Sequence, residues 1–391
     1  MMIEKFNSKN KTHNVIATLF IVIFLLIIPI GNKLGIISDI SINLWGRYIS
    51  FAIVALGIDL IWGFTGILSL CQALFFGLGG YAIAMHMSMK QNPNGVSGSI
   101  LPDFMQWNNI LTLPWFWKPF QYFPIALVLG LIIPAILAFI LSYVAFRSRL
   151  KGVYFAVITQ ALALAAYLLF LRNETMLGGT NGLTDFKSIL GFSLQSPDVK
   201  LGLYIISVLV LIGAYILSRK LIHSKVGEVL IAIRDSENRI RYTGYSVASF
   251  KIFIFIFAAV LAAIGGMLYV PQTGIITPGR MDVQASIEMI VWVAVGGRAS
   301  LAGAILGAFG VNLLYSYSTS ALPGSWLYIL GFLFIAVVLF IPTGMVGLFS
   351  KLDFSTLKKL KSKIPFLTKP LEGKEDAFKI ADPTTKIVEL K

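Results

Sequence analysis

Long apolar stretches, separated by short polar ones, run through most of the chain. Ten of them are predicted to form membrane-spanning or partly re-entrant helices, because about 20 consecutive apolar residues cross a bilayer as an α-helix. They do not alternate apolar and polar residues as the strands of a membrane barrel do. The pattern therefore predicts an all-α polytopic membrane protein. The stretches lie at about 14–31, 44–62, 66–89, 122–146, 152–171, 201–218, 250–271, 285–297, 300–317 and 325–342.

Two of these stretches contain glycine pairs that predict broken or re-entrant helices. Gly79–Gly80 lies within 66–89, and Gly296–Gly297 lies at the end of 285–297. Irregular backbone at membrane depth is tolerated only where protein or a water-filled cavity covers it. We therefore expect both breaks to lie inside the helical bundle.

Composition supports a membrane protein and charge predicts its orientation. Apolar residues make up 57% of the chain and charged residues 13%, against about 25% charged residues in a typical soluble protein. The net charge of +14 is explained more simply by the excess of Lys and Arg in cytoplasmic loops than by nucleic-acid binding. Of 32 Lys and Arg residues, 24 fall on one side of the predicted spans, 7 on the other, and Arg47 within a span. Both termini are expected in the cytoplasm, with the chain in the cell inner (plasma) membrane.

The same pattern predicts one membrane domain, residues 1–348, followed by a basic cytoplasmic tail, 349–391, that contacts anionic lipid. The first stretch is long for a signal peptide and is interpreted as a retained span. Two sizeable outer loops lie at 90–121 and 172–200, and the first is rich in Trp and Pro, which predicts an ordered cap at the membrane interface.

One inner loop, 220–249, is charged throughout and contains an amphipathic pattern. Val226, Val229, Leu230 and Ile233 recur at helical spacing and share one face, away from the acidic residues. Such a helix lies on the bilayer or docks on a cytoplasmic partner. Its mixed charge favours docking, because lipid-binding helices usually carry a basic polar face.

Polar residues inside apolar stretches are candidates for a solute pathway. Thr65, Ser69 and Gln72 follow at i, i+4 and i+7, which predicts a polar stripe facing protein or a cavity. The alternative is hydrogen bonding between helices. Phe75 and Phe76 come next and either narrow a path or pack. Two carboxylates complete the candidates: Glu288 could accept hydrogen bonds from a substrate, and Asp59 is expected to pair within the bundle or to lie near the inner surface.

Motifs for enzyme chemistry are absent from the sequence. It contains no G-x-x-x-x-G-K-[ST], H-E-x-x-H, G-x-S-x-G or C-x-x-C pattern, and Cys71 is its single cysteine. His13, His86 and His223 are scattered near segment ends, where solvent or interface positions are expected. No catalytic residue, metal site or ATP-hydrolysing site is therefore predicted in this chain.

Three blocks resemble the permeases of branched-chain amino acid and urea ABC transporters. They are GFTGILSLCQALFFGLGGYA at 63–82, VGEVLIAIRDSENRIRYTGYSVASFKIFIFIFAAVLAAIGGMLYV at 226–270 and VAVGGRASLAGAILGAF at 293–309. Segments 102–120, 178–192 and 286–298 resemble the urea-type branch most. In that family the charged loop docks on the ATPase subunit. The resemblance assigns docking to Gly227, Ala232, Ile233, Arg234, Asp235, Glu237 and Gly244.

The resemblance implies a transmembrane permease subunit of an ATP-driven importer for urea or a related short amide. It further implies a homologous permease subunit, two ATPase subunits that use the ATP, and an extracytoplasmic substrate-binding protein, with no cofactor in this chain. Two alternatives remain open: a permease for branched-chain amino acids, and a self-sufficient channel or carrier for a small polar solute.

Overall fold

The computed structural model describes residues 23–91, 101–102, 104–105, 112–150, 152–322, 324–340 and 344–351. Half of the first predicted stretch and nearly all of the basic tail lie outside these residues. Within them the chain is helical almost throughout. The twelve α-helices are α1 (Ile28–Lys33), α2 (Asp39–Ile58), α3 (Gln72–Gln91), α4 (Phe123–Arg147), α5 (Val153–Leu171), α6 (Pro197–Ile222), α7 (Lys225–Tyr242), α8 (Val247–Thr273), α9 (Val283–Gly296), α10 (Leu301–Ala321), α11 (Trp326–Phe340) and α12 (Gly344–Lys351).

Shorter elements connect these helices. One π-helical turn, Ile23–Ile27, precedes α1, and another, Asp59–Gly63, continues α2. Three 3₁₀ turns lie at Lys118–Gln121, Asn173–Thr175 and Pro278–Met281. Two short antiparallel strands, β1 (Ser188–Ile189) and β2 (Phe192–Ser193), form a hairpin.

Six helices of the described part are long and apolar enough to cross a membrane. Three shorter apolar helices accompany them, at Ile23–Lys33, Val283–Gly296 and Trp326–Val337. The all-α polytopic fold predicted from the sequence is confirmed. The six are Asp39–Gly63, Phe123–Arg147, Val153–Leu171, Pro197–Ile222, Val247–Thr273 and Leu301–Ala321.

Helix α8 lies at the centre of the bundle and packs on α2, α3 and α4. Small residues bring the backbones together: a Cβ on Gly266 would overlap the carbonyl oxygen of Phe76, and one on Gly79 would overlap that of Ala263. Close approach through small residues is the usual way in which membrane helices pack, because lipid supplies no hydrophobic drive for association. By contrast, α4 and α5 keep most of their apolar side chains on the outside of the bundle.

The predicted break at Gly79–Gly80 is wrong. Both glycines lie inside the continuous helix α3 and serve the contact with α8. The chain is instead irregular at residues 66–71, a segment that we call the helix break, where Gly66 has a left-handed φ of 72°. The break predicted at Gly296–Gly297 is confirmed: α9 ends there after only 14 residues.

The described part of the loop between α3 and α4 packs against the bundle. The indole Nε1 of Trp117 donates to the carbonyl of Met176 at 2.9 Å, which joins the two loops that were predicted to lie outside. His86 Nδ1 donates to the carbonyl of Phe120 at 2.9 Å. The expectation of a solvent or interface position is therefore wrong for His86, because this bond and the ring of Phe123 bury it.

Candidate functional site: the amphipathic helix and the helix break

The amphipathic helix predicted in the charged loop is present as α7. Gly227, Leu230 and Ile233 are buried on the face that packs against the rest of the chain. A Cβ on Gly227 would overlap the carbonyl of Ile222, so that the close return of the chain after α6 depends on this glycine. Ser236 has non-helical angles, which divide α7 into an apolar first part and a polar second part.

Arg234 ties α7 to the end of α2. Its Nη1 donates to the carbonyl oxygen of Gly63 at 2.9 Å, and its Nε lies 3.1 Å from Oδ1 of Asp235. The carbonyl of Gly63 belongs to the last turn of the helix and has no helical partner of its own, so a guanidinium suits it well. This bond therefore connects α7 with the turn that leads into the helix break.

Glu237 fastens the second part of α7 to α8. Its carboxylate bonds Arg241 at 2.7 Å and Lys251 at 2.9 Å. Lys251 is itself mostly buried, so this is a partly desolvated pair rather than a surface one. Glu237 therefore makes contacts within this chain.

The seven residues assigned to docking differ in accessibility. Arg234, Asp235 and Gly244 are exposed, Ala232 and Glu237 are half-buried, and Gly227 and Ile233 are buried. Sequence reasoning missed two exposed aromatic side chains at the end of α7: Tyr242 is 92% exposed and Tyr245 51% exposed. In the sequence, these two residues differ from their neighbours only in being aromatic within a polar segment.

A buried carboxylate joins α2 to the turn between α9 and α10. Asp59 is fully buried, and its Oδ1 accepts a hydrogen bond from the backbone N–H of Ala299 at 2.7 Å. Gly63 lies so close that a Cβ would overlap both of these groups. Beside them the guanidinium of Arg298 lies 4.9 Å from the ring centroid of Trp62. These bonds connect three parts of the chain: α7 through Arg234, the end of α2 through Gly63 and Asp59, and the turn between α9 and α10 through Ala299. We call these contacts the three-way junction.

The helical stripe predicted from Thr65, Ser69 and Gln72 is wrong in its geometry, because residues 66–71 are not helical. The hydroxyl of Thr65 donates to the carbonyl of Ile61, and Ser69 Oγ lies 3.4 Å from Cys71 Sγ. Gln72 is the first residue of α3, and both polar atoms of its buried amide have no partner.

Two hydroxyl side chains that sequence reasoning missed hold the helix break in place. The backbone N–H of Leu70 donates to Oγ1 of Thr159 on α5 at 3.0 Å. The backbone N–H of Ala73 donates to Oγ of Ser286 on α9 at 3.2 Å. Both are buried Ser or Thr residues in apolar helices, a pattern too common in membrane proteins to single them out.

The remaining pathway candidates lie around α3. Phe75 is buried with its ring centroid 5.8 Å from that of Phe255, and the ring of Phe76 lies edge-to-face with that of Tyr269, with 5.2 Å between the centroids. Glu288 is half-buried on α9, two residues beyond Ser286. The described residues contain no cluster of three or more His, Cys, Asp or Glu that could hold a metal ion.

Comparison with known proteins identifies the family of this chain. The family described as branched-chain amino acid transport system / permease component matches residues 40–339. The chain is 22% identical over 294 residues to the high-affinity branched-chain amino acid transport system permease protein LivM of Salmonella typhimurium, covering 70% of this chain and 62% of that protein. It is 24% identical over 280 residues to LivM of Escherichia coli, covering 66% of this chain and 59% of that protein.

A third relative is matched over nearly its whole length. The high-affinity branched-chain amino acid transport system permease protein BraD of Pseudomonas aeruginosa is 21% identical over 311 residues, covering 76% of this chain and 92% of that protein. No solved structure matches the chain. The relatives are transport permeases rather than enzymes, and the chain is a multi-pass membrane protein. It belongs to the family of permease components of branched-chain amino acid transport systems.

Proposed function

We propose that the chain is the transmembrane permease subunit of an ABC importer in the cell inner (plasma) membrane. The contact of Arg234 with Gly63 supports this function most directly, because it connects the exposed helix α7 with the helix break inside the bundle. Residues 1–348 form the permease domain and 349–391 a basic cytoplasmic tail in this proposal. ATP is bound and hydrolysed by separate subunits.

The proposed partners are a homologous permease, two ATPase subunits, an extracytoplasmic substrate-binding protein and membrane lipid. Arg234, Asp235 and Gly244 are exposed on the α7 side and supply the ATPase-docking surface. Gly227 and Ile233, with Ala232 and Glu237, hold α7 in the orientation that presents this surface.

Coupling follows from the three-way junction. When the ATPase subunits close, they displace the exposed face of α7, and Arg234 carries this displacement to Gly63. Asp59 binds the turn between α9 and α10, so the ends of α2, α9 and α10 move with it. Rigid-body movement of helices around a fixed substrate site is the general form of alternating access.

We propose branched-chain amino acids as the substrates, because the relatives are named for their transport. Urea or a short amide is the second candidate, supported by the resemblance of 178–192 and 286–298 to urea-type permeases. The proposed path follows the helix break and the start of α3. Its lining residues are Thr65, Ser69, Gln72, Phe75, Phe76 and Glu288.

The experiment that tests this function measures uptake and substrate-stimulated ATP hydrolysis in the purified complex. Arg234→Ala removes a charge-assisted hydrogen bond of about 1.5–3 kcal/mol, which corresponds to a loss of coupling of about tenfold or more. Arg172→Ala, an exposed arginine on another loop, is the matched control.

Two outcomes contradict the proposal. Unchanged uptake and ATP hydrolysis in Arg234→Ala would remove the coupling role of α7. Transport by this chain alone in liposomes, without ATP, would identify a self-sufficient channel or carrier. Membrane insertion, measured by the amount of protein in the membrane fraction, is expected to be equal in all variants.

A further inference from the structure

The amide of Gln72 is an unusual group for the inside of a membrane protein. Its side chain is 1% exposed, and neither Oε1 nor Nε2 has a hydrogen-bond partner. The Cα–Cβ bond of a helical residue tilts toward the N-terminus. Because Gln72 is the first residue of α3, this tilt is toward the irregular segment 66–71 that precedes the helix.

The start of α3 lies well inside the bundle. Phe75, in its first turn, packs on Phe255, which is eight residues into α8 from Val247, or about 12 Å at 1.5 Å per residue. At this depth no bulk water compensates an unpaired amide, which costs about 1–3 kcal/mol. An unpaired amide that persists there indicates a group that something else binds.

The surroundings of this amide are rich in hydrogen-bond donors. The N-terminus of a helix of 20 residues carries a partial positive charge and favours anions. Ser286 accepts from the N–H of Ala73, so its own hydroxyl proton remains to be donated. The amide of Gln72 adds two N–H donors and one carbonyl acceptor.

We propose that the N-terminus of α3, with Gln72 and Ser286, is the subsite for the carboxylate of an α-amino acid. The amide N–H groups of Gln72 and the hydroxyl of Ser286 donate to the carboxylate, and Oε1 of Gln72 accepts from the substrate ammonium group. Urea fits this subsite poorly. It has four N–H donors and one acceptor, whereas the subsite offers mainly donors and therefore needs a ligand with several acceptors. The inference rests on the proposed transport function and specifies its substrate.

The test is direct binding of radiolabelled leucine to the complex purified through a tag on this chain, without added binding protein. In Gln72→Leu, binding is expected to weaken by about tenfold or more. The melting temperature of the substrate-free protein is expected to stay equal or to rise, because an unpaired buried amide is removed. Gln195→Leu, at an exposed glutamine, is the matched control.

Competition identifies the chemical group that is recognised. 4-Methylpentanoate, which keeps the carboxylate of leucine without its ammonium group, is expected to displace leucine. 3-Methylbutylamine and urea are expected not to. If Gln72→Leu does not assemble, Ser286→Ala and the competition in the unaltered protein test the same subsite.

Three results would overturn the subsite. The first is leucine binding that is unaffected in Gln72→Leu, and the second is displacement of leucine by the amine or by urea as effectively as by the acid. The third is that the unaltered protein binds no amino acid, which would mean that only a buried water occupies the site. Failure of the transport function gives a different result. In that case leucine binding depends on Gln72 while ATP hydrolysis is insensitive to substrate.

Discussion

At the three-way junction, single side chains supply the hydrogen-bond partners of backbone groups on distant parts of the chain. Asp59 is buried, and the N–H of Ala299 has Asp59 Oδ1 as its acceptor in a turn where Ala299 itself has a left-handed φ of 58°. Removing the acceptor leaves this donor unpaired, which costs more than the bond contributes when it is made. Asp59 therefore has a structural role that differs from the role of an exposed carboxylate.

Asp59→Ala is expected to lower the free energy of unfolding by about 1–3 kcal/mol, because the N–H of Ala299 loses its acceptor. Asp59→Asn keeps an acceptor oxygen and is expected to retain most of the stability. Thermal unfolding in detergent measures both, with Glu228→Ala at an exposed carboxylate of α7 as the control. Equal melting temperatures for the alanine and asparagine variants would contradict this role of the bond.

The sequence predicted that Asp59 either pairs within the bundle or lies near the inner surface, because a charge in an apolar stretch is expensive. It could not identify the partner. The acceptor and donor of this bond lie 240 residues apart, and the donor is a backbone N–H that carries no side-chain signal. The same holds for Arg234, whose partner is the carbonyl of Gly63.

At the scale of elements, the interface of α3 and α8 depends on the absence of side chains. Gly266 of α8 faces the carbonyl of Phe76, and Gly79 of α3 faces that of Ala263. The two backbones touch at both points, so an added methyl group has no space without separating the helices. Van der Waals contact is a main source of stability in such interfaces, and it decreases steeply with distance.

Gly266→Ala is expected to destabilise the bundle by about 1–3 kcal/mol, the usual cost of an overpacked core. Gly213→Ala, in α6, has open space around its position and is expected to be neutral or stabilising by up to about 1 kcal/mol, since alanine favours the helix. Melting temperatures in detergent compare the two. A destabilisation of similar size in both would mean that close packing is not the cause.

The helices were predictable as elements, but of the two predicted interruptions only the one at Gly296–Gly297 is present. The thickness of the bilayer sets the length of a spanning helix, so a long apolar stretch predicts one. Each of the ten stretches contains helix in its described part. The glycine pair in α3 was interpreted as a break, whereas it serves packing, and the irregular segment 66–71 begins at Gly66. The sequence alone does not distinguish a glycine that interrupts a helix from one that allows two helices to pack closely. The distinction depends on whether a neighbouring helix lies against it.

For the whole molecule, the orientation in the membrane remains a prediction from charge. In the predicted ten-span topology, the side that includes the charged loop carries 24 of the 32 Lys and Arg residues, against 7 on the other side. Loops rich in Lys and Arg stay in the cytoplasm because they are poorly translocated. The docking proposal depends on this orientation, since an ATPase subunit reaches only the cytoplasmic face.

Cysteine labelling tests the orientation with little background, because Cys71 is the single cysteine of the chain and is buried. Arg239→Cys places a thiol on the exposed side of α7, and Lys187→Cys places one on the exposed loop before β1. In intact cells a membrane-impermeant maleimide is expected to label Lys187→Cys. Arg239→Cys is expected to react only after permeabilisation, and the unaltered protein in neither condition. Labelling of Arg239→Cys in intact cells would place α7 outside and exclude its docking on a cytoplasmic ATPase.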